Sequence, residues 1–319
     1  MDVRHIAITN DIDGYQLAAT VYQGPVTQLR GCVIVASAMG VPRQFYDGFG
    51  RWLVGEGLAC VTFDFRGMFQ SPSLNPNARA RDVALIDWGA DLDSVTRWCG
   101  KAFQDAPLYA ACHSMGGHVL GFAPAARCFT RILLIGCGSV YWGCRPTRVS
   151  QGLHAVAWYM LVPALATLLG SFPGRKLGIV GDLPRRIAVD WARWCRDPDY
   201  VRGAEHGACS FDHICAPVMS LSLEGDTIIS ESAVRAFGAY FERTVVRYST
   251  IERATLPPDA TVHFDVFRRQ SAGHLWPSML RWLTSGTTGV SEVRGSTEQP
   301  TDIRNSPPAG KPANRSYGA

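Results

Sequence analysis

Apolar and polar residues alternate along two N-terminal stretches, residues 3–9 and 15–23, which flank Asp13-Gly14. A period of two around an Asp-Gly pair predicts an antiparallel hairpin with one face buried. The pattern then changes to continuous apolar runs of strand length at 31–37 (GCVIVAS), 58–65 (LACVTFDF), 107–112 (PLYAAC), 131–137 (RILLIGC) and 217–223 (PVMSLSL). Periodic or capped stretches separate the first four, and they predict helices over about 45–56, 82–102 and 115–127. In the second of these, Val83, Ile86, Ala90, Val95 and Trp98 keep roughly helical spacing. Further on, 261–267 (TVHFDVF) reads as a strand, with helices at about 231–241 and from Pro277 onward. Strands apolar on both faces, alternating with helices, predict an α/β fold: a mostly parallel sheet covered on both sides.

The rhythm breaks between about 140 and 205. This stretch holds Trp142, Trp158, Trp191 and Trp194, many arginines, and the turn signals Phe172-Pro173-Gly174 and Gly181-Asp182. It reads as an inserted cap (140–205) within a core formed by 1–139 and 206–284. Inside the cap, 153–169 (LHAVAWYMLVPALATLL) carries no formal charge beyond a possible one on His154. The run is shorter than the about 20 residues a membrane span needs, and Pro163 interrupts it. A buried or pocket-lining helix is expected, without membrane association. Residues 285–319 lack Leu, Phe, Trp, Met and Cys and are rich in Gly, Pro, Ser and Thr. Too little surface can be buried there to offset chain entropy, so a disordered tail is expected.

Composition narrows the function classes. The 319 residues are 47% hydrophobic and 18% charged, enough for a sizeable core. Lys+Arg 31 against Asp+Glu 27 gives +4, without the clustered basic residues that nucleic-acid binding requires. Mean hydropathy is +0.01, unlike a multi-span membrane protein. The ten cysteines lie singly, with no CxxC, and several fall in apolar runs where a thiol acts as a small hydrophobe. The N-terminus MDVRHIAITNDIDG has no apolar signal region, and together these point to a reducing cytoplasm. His206, Cys209, His213 and Cys215 lie close together, but their spacings match no usual zinc finger, so neither a metal nor a cofactor is expected. Arg66, Arg185 and Arg186 read as surface charges.

The strongest chemical signal is Ala111-Cys112-His113-Ser114-Met115-Gly116-Gly117-His118, where a strand ends and a helix begins. A serine on so sharp a turn stands clear of the sheet, and small neighbours let strand and helix approach. The pattern is that of a GxSxG nucleophile elbow, with Cys112 in place of its first glycine. A helix N-cap is the plainer reading of the same serine. His113 and His118, on either side, are expected to pack rather than react.

Together with two further segments, this motif makes the chain resemble the α/β-hydrolase fold over roughly residues 15–284. Within that fold it is similar to bacterial hydrolases near the serine-aminopeptidase-like and esterase branches. The segments are Ala36-Ser37-Ala38-Met39-Gly40, and Asp64-Phe65-Arg66-Gly67 followed by Ser71. The latter is similar to a D-x-R-G-x-G-x-S turn with Phe69 at the second glycine. Asp182-Leu183-Pro184, Trp191, Trp194-Cys195 and Asp197-Pro198 resemble the cap of one subgroup. The resemblance implies a serine hydrolase whose triad runs Ser, then Asp or Glu, then His along the chain. Ser114 is then the nucleophile, Asp226 the acid (with Glu224 as substitute), and His274 in Gly273-His274 the base, with His263 a weaker competitor placed mid-strand. Two backbone amides, Met115 and Met39 (Ala38 or Gly40 within alignment error), would hold the oxyanion. The implied substrate is a small acyl compound, and the Trp-rich cap points to a hydrophobic one. A catalytically silent binding protein of the same fold is the alternative, because Cys112, Phe69 and Ser37-Ala38 depart from the motifs.

Overall fold

The two alternating stretches form β1 (Asp2–Thr9) and β2 (Gln16–Gln23), antiparallel, with Thr9 opposite Gln16. Gly14, at φ +77°, supplies the left-handed residue that their turn requires. The computed structural model describes residues 1–25, 29–256 and 262–287. The apolar runs become β3 (Cys32–Ala36), β4 (Ala59–Phe63), β5 (Leu108–His113) and β6 (Phe129–Ile135). Between them lie α1 (Asp47–Gly55), α2 (Asp87–Ala102) and the single turn α3 (Met115–His118). The chain from β6 to the next strand of this sheet builds α4 (Arg148–Val156), α5 (Val162–Leu169), the two-residue pair β7 (Ser171–Phe172) and β8 (Leu183–Pro184), α6 (Arg185–Trp194) and α7 (Tyr200–Ala204). The chain then returns through β9 (Val218–Leu223), α8 (Glu231–Gly238), β10 (Val246–Ile251), α9 (Val262–Asp265) and α10 (Leu275–Ser285).

Eight strands form one sheet in the order β1-β2-β4-β3-β5-β6-β9-β10. All neighbours from β4 to β10 pair in parallel, and only β2 runs against them. The continuous apolar runs fit this position because alternate residues enter two different cores. Cys32, Ile34 and Ala36 face Trp88, Leu92 and Val95 of α2, whereas Val33 and Val35 face the layer of Phe49, Leu53, Trp276 and Leu283 from α1 and α10.

Several expectations are corrected. The stretch 115–127 is α-helical only over α3 and continues as 3₁₀ turns, Val119–Phe122 and Pro124–Cys128, since Pro124 lacks the amide a longer helix needs. Residues 262–265 of the expected strand form α9, and residue 261 lies outside the described residues. The place beside β9 is taken instead by β10, a mostly half-exposed edge strand whose polar sequence (VRYSTI) hid it. Arg66 is no surface charge. It is buried, ion-paired to Asp91 at 2.7 Å and to Asp13 at 2.6 Å, and so ties the turn after β4 to α2 and to the hairpin. The expected tail lies outside the described residues from 288 onward.

The helix after β6 differs most from expectation. Residues Arg148–Leu169 run as one 22-residue helix, long and apolar enough by length and composition to cross a membrane, yet only 17% of its most apolar window is buried. Pro163 does not interrupt it, because a π-helical turn over Ala157–Leu161 rearranges the backbone bonds just ahead of the proline. Trp158, Val162 and Ala166 face inward, while Val149, Leu153, Val156, Met160 and Leu168 are exposed.

Candidate active site

Ser114 sits between β5 and α3 at φ +51°, ψ −114°, a strained backbone for a residue with a side chain. Its surroundings hold it there. The Ser114 N–H donates to the Ile135 carbonyl at 2.9 Å, extending the β5–β6 pairing. A Cβ on Gly116 would lie 2.2 Å from the Ala36 carbonyl oxygen, and one on Gly117 2.6 Å from Cys137 Sγ. Only glycines allow α3 to start so close to β3 and β6. Cys112 is wholly buried, and its carbonyl accepts from the Cys137 thiol at 3.3 Å, so the replaced motif glycine is simply a packed strand position.

Asp226 occupies the turn after β9, its N–H donating to Leu223 O at 3.1 Å. One carboxylate oxygen accepts from the amides of Ile228 (2.8 Å) and Ile229 (3.1 Å). The other lies 2.6 Å from Nδ1 of His263. Both side chains are nearly inaccessible to solvent, at 3% for His263 and 1% for Asp226. Because a carboxylate can only accept from a ring N–H, Nδ1 carries the proton and Nε2 is left with its lone pair. Ser114 and His263 line the same cavity. Glu224 is exposed and accepts from the Arg253 amide at 2.8 Å, away from this cluster.

His274 is not brought to Asp226 or to the cavity wall. It is exposed at the start of α10, with Nε2 bonded to the Thr255 carbonyl. His263, not His274, is the imidazole that the structure brings to Asp226. Read as a strand, TVHFDVF buries position 263 in a sheet; residues 262–265 instead fold as a helical turn and bring that ring to Asp226. Gly136, at φ +58° just past β6, makes the room, since a Cβ there would lie 2.9 Å from His263 Cε1 and 3.2 Å from its Nδ1.

A buried relay joins the turn after β3 to the backbone of His263. The Ala38 N–H donates to Tyr46 Oη at 3.0 Å, Tyr46 Oη bonds His113 Nδ1 at 2.9 Å, and His113 Nε2 lies 2.9 Å from the His263 carbonyl. That carbonyl requires a donor, so His113 carries its proton on Nε2, and its Nδ1 accepts a hydrogen bond from the tyrosine hydroxyl. Burial pushes the His113 pKa down to about 3, so it serves as a neutral bridge. His118 is likewise buried, bonded through Nε2 to Gly138 O at 3.1 Å and packed edge-on against Phe237. The amide of Ala38 is occupied by Tyr46, whereas Met39 and Met115 both line the cavity. Gly40, at φ +71°, meets Gly181 of the cap backbone to backbone, a contact any side chain would block.

The cavity has a volume of about 230 Å³. Ser114, His263 and neighbours from the turns after the sheet strands line one part of it, and His154, Trp158, Ile179, Val180 and Trp191 line another. No Asp or Glu lines it, and Arg145 is its one permanently charged residue among those described. Sequence reasoning passed over Tyr46, Gly136 and Arg145. Gly136 alone had a signal, as a glycine directly after a buried strand. Among the described residues no group of three or more His, Cys, Asp or Glu side chains could hold a metal ion.

Comparison with known proteins agrees with this architecture. Residues 27–175 match the model of the serine aminopeptidase S33 family. No curated protein matches the chain in sequence. A soluble variant of monoglyceride lipase from Saccharomyces cerevisiae, in complex with a substrate analogue, superposes with a TM-score of 0.62 at 16% identity, covering 90% of this chain and 96% of its own. An esterase from Exiguobacterium antarcticum gives 0.56 at 12% identity, covering 88% and 100%. Est1E from Butyrivibrio proteoclasticus, with ferulic acid bound, gives 0.54 at 16%, covering 86% and 98%. By sheet order and superposition over most of its length, the chain has the α/β-hydrolase fold, and over residues 27–175 it is similar to the serine aminopeptidase S33 family.

Proposed function

We propose that the protein is a serine hydrolase that cleaves esters of small, largely hydrophobic acyl compounds through Ser114, His263 and Asp226. The reading rests on one observation above the others: a buried imidazole, held 2.6 Å from a doubly anchored carboxylate, lines the cavity of a strained serine. His263 Nε2 takes the proton of Ser114 as its Oγ attacks the ester carbonyl. Asp226 holds the ring and stabilises the imidazolium that forms. The Met39 and Met115 amides receive the oxyanion, and two such preorganised donors lower the barrier by several kcal/mol. The imidazolium then protonates the leaving alkoxide. Water, deprotonated by the same imidazole, releases the acyl group from Ser114. Side chains, two amides and water suffice for these steps.

Esterases and a lipase among proteins of this fold support the ester-directed reading, and the apolar roof of Trp158, Ile179 and Trp191 supports a hydrophobic acyl or alkyl portion. Of the departures that motivated a silent binding protein, Cys112 packs in β5, and Phe69 sits at a positive φ (+46°), the backbone region that favours glycine. We read residues 140–205 as a cap on a core of 1–139 and 206–284, and the ten unpaired cysteines as a sign of a reducing, cytoplasmic setting. The test is labelling with a fluorophosphonate. One adduct on Ser114, lost in Ser114→Ala, is expected; an adduct that persists in Ser114→Ala defeats the assignment.

A further inference from the structure

We infer that Arg145 forms a carboxylate-binding subsite in the cavity, and that the substrates are esters carrying a free carboxylate at the end remote from the scissile bond. This rests on the hydrolase reading and names its substrate class. Arg145 follows the 3₁₀ turn Trp142–Cys144 and is half-buried on the cavity wall. Its Nη1 donates to the carbonyls of Ile228 (3.2 Å) and Thr227 (3.4 Å), which fixes the guanidinium beside the turn that carries Asp226. No carboxylate lies within ion-pairing distance of it among the described residues. Asp226 already receives His263 and two amides.

The other core arginines show what this chain does with buried guanidinium groups. Arg43 is paired with Asp64 at 2.5 Å and Arg66 with Asp91 at 2.7 Å. Arg145 departs from that rule, and it does so at the cavity. A partly desolvated cation without a counter-ion is unfavourable, and burial already pushes its pKa below the ordinary value. Guanidinium offers five N–H donors in a planar fork, and the two carbonyl bonds engage only Nη1. The donors left over suit a planar carboxylate, which can accept two of them in parallel. No acidic residue lies on the described wall, and the nearby Asp226 carboxylate is taken up by His263 and two amides, so Arg145 is the wall's anchor for a substrate carboxylate. The aromatic and aliphatic walls around it suit the methylene chain that joins carboxylate to ester.

The experiment uses methyl half-esters of dicarboxylic acids, from succinate to suberate, against ω-carboxamides of equal length and no charge. Turnover is measured on the intact protein, and calorimetry gives Kd on Ser114→Ala. At the best chain length the acid is expected to exceed the amide by on the order of 10- to 100-fold in kcat/KM and in affinity. Arg145→Gln abolishes this preference, and Arg145→Lys keeps part of it. Equal values for acid and amide overturn the subsite, and so does an Arg145→Gln variant that weakens both alike, which marks the arginine as a tether for residues 227–228. If neutral esters turn over and acids gain nothing, the subsite fails while the hydrolase reading stands. If nothing turns over and no fluorophosphonate labels Ser114, yet Ser114→Ala prefers acids, the hydrolase reading fails and the subsite stands.

Discussion

Substituting Gly136 by alanine probes how closely the fold holds its imidazole. The new Cβ meets His263 Cε1 at 2.9 Å and Nδ1 at 3.2 Å, where ordinary carbon contacts begin at about 3.5 Å. The ring must retreat by roughly 0.6 Å. The bond to Asp226 starts at 2.6 Å, so a retreat of that size takes it to the weak end of the hydrogen-bond range. Since misplacement by about 1 Å can lower a rate about 100-fold, kcat should fall roughly 10- to 100-fold. The positive φ of +58° adds about 1 kcal/mol of backbone destabilisation. Gly14→Ala is the control: φ is +77°, nothing lies within 4 Å of its Cβ, and the hairpin turn is remote from the cavity. Urea unfolding should show about 1 kcal/mol lost in both variants, while ester turnover falls only in Gly136→Ala. A folded Gly136→Ala protein with kcat within about twofold of the parent, a small fraction of the loss worked out above, refutes the reasoning.

Two further outcomes follow from burial. His113 and His118 have folded pKa values near 3, lowered by desolvation from 6.5, so the unfolded chain takes up their protons first as pH falls. Their stabilising contribution is complete above about pH 6.5 and declines from there toward about pH 3. At pH 5 each should have lost about 2 kcal/mol, so urea unfolding at pH 5.0 and 7.5 should differ by roughly 4 kcal/mol from these two groups. His118→Gln should remove about half of that difference; an undiminished one contradicts the assignment to burial. Restoring the motif glycine with Cys112→Gly should lower stability by about 2 kcal/mol, from a cavity and a freer strand, without raising ester turnover. An increase in kcat there would show that the cysteine impairs the elbow.

The sheet was legible because strands buried on both faces, such as Cys32–Ala36 and Ala59–Phe63, must be apolar throughout. Ser114 was legible because so tight an elbow needs glycines at 116 and 117. The base was not. In TVHFDVF, Val262 and Val266 are two strand steps apart and also one helical turn apart, and a segment this short carries both periods. The fold settles the matter by giving the sheet's last place to β10, whose polar edge residues have no strand-like hydrophobic signature. The exposure of α4 and α5 was also hidden, because an apolar helix has the same composition whether or not something covers it. Arg145 drew no notice because what sets it apart is that no carboxylate pairs with it among the described residues, which spacing along a chain does not reveal.

The central claim is that His263 activates Ser114, and one comparison tests it most directly: kcat for a neutral short-chain ester in His263→Ala and His274→Ala, with circular dichroism to confirm that both fold. The account predicts a loss of at least about 1,000-fold for His263→Ala and a change of less than about threefold for His274→Ala. Near-parental turnover in His263→Ala, alongside a collapse in His274→Ala, would contradict it.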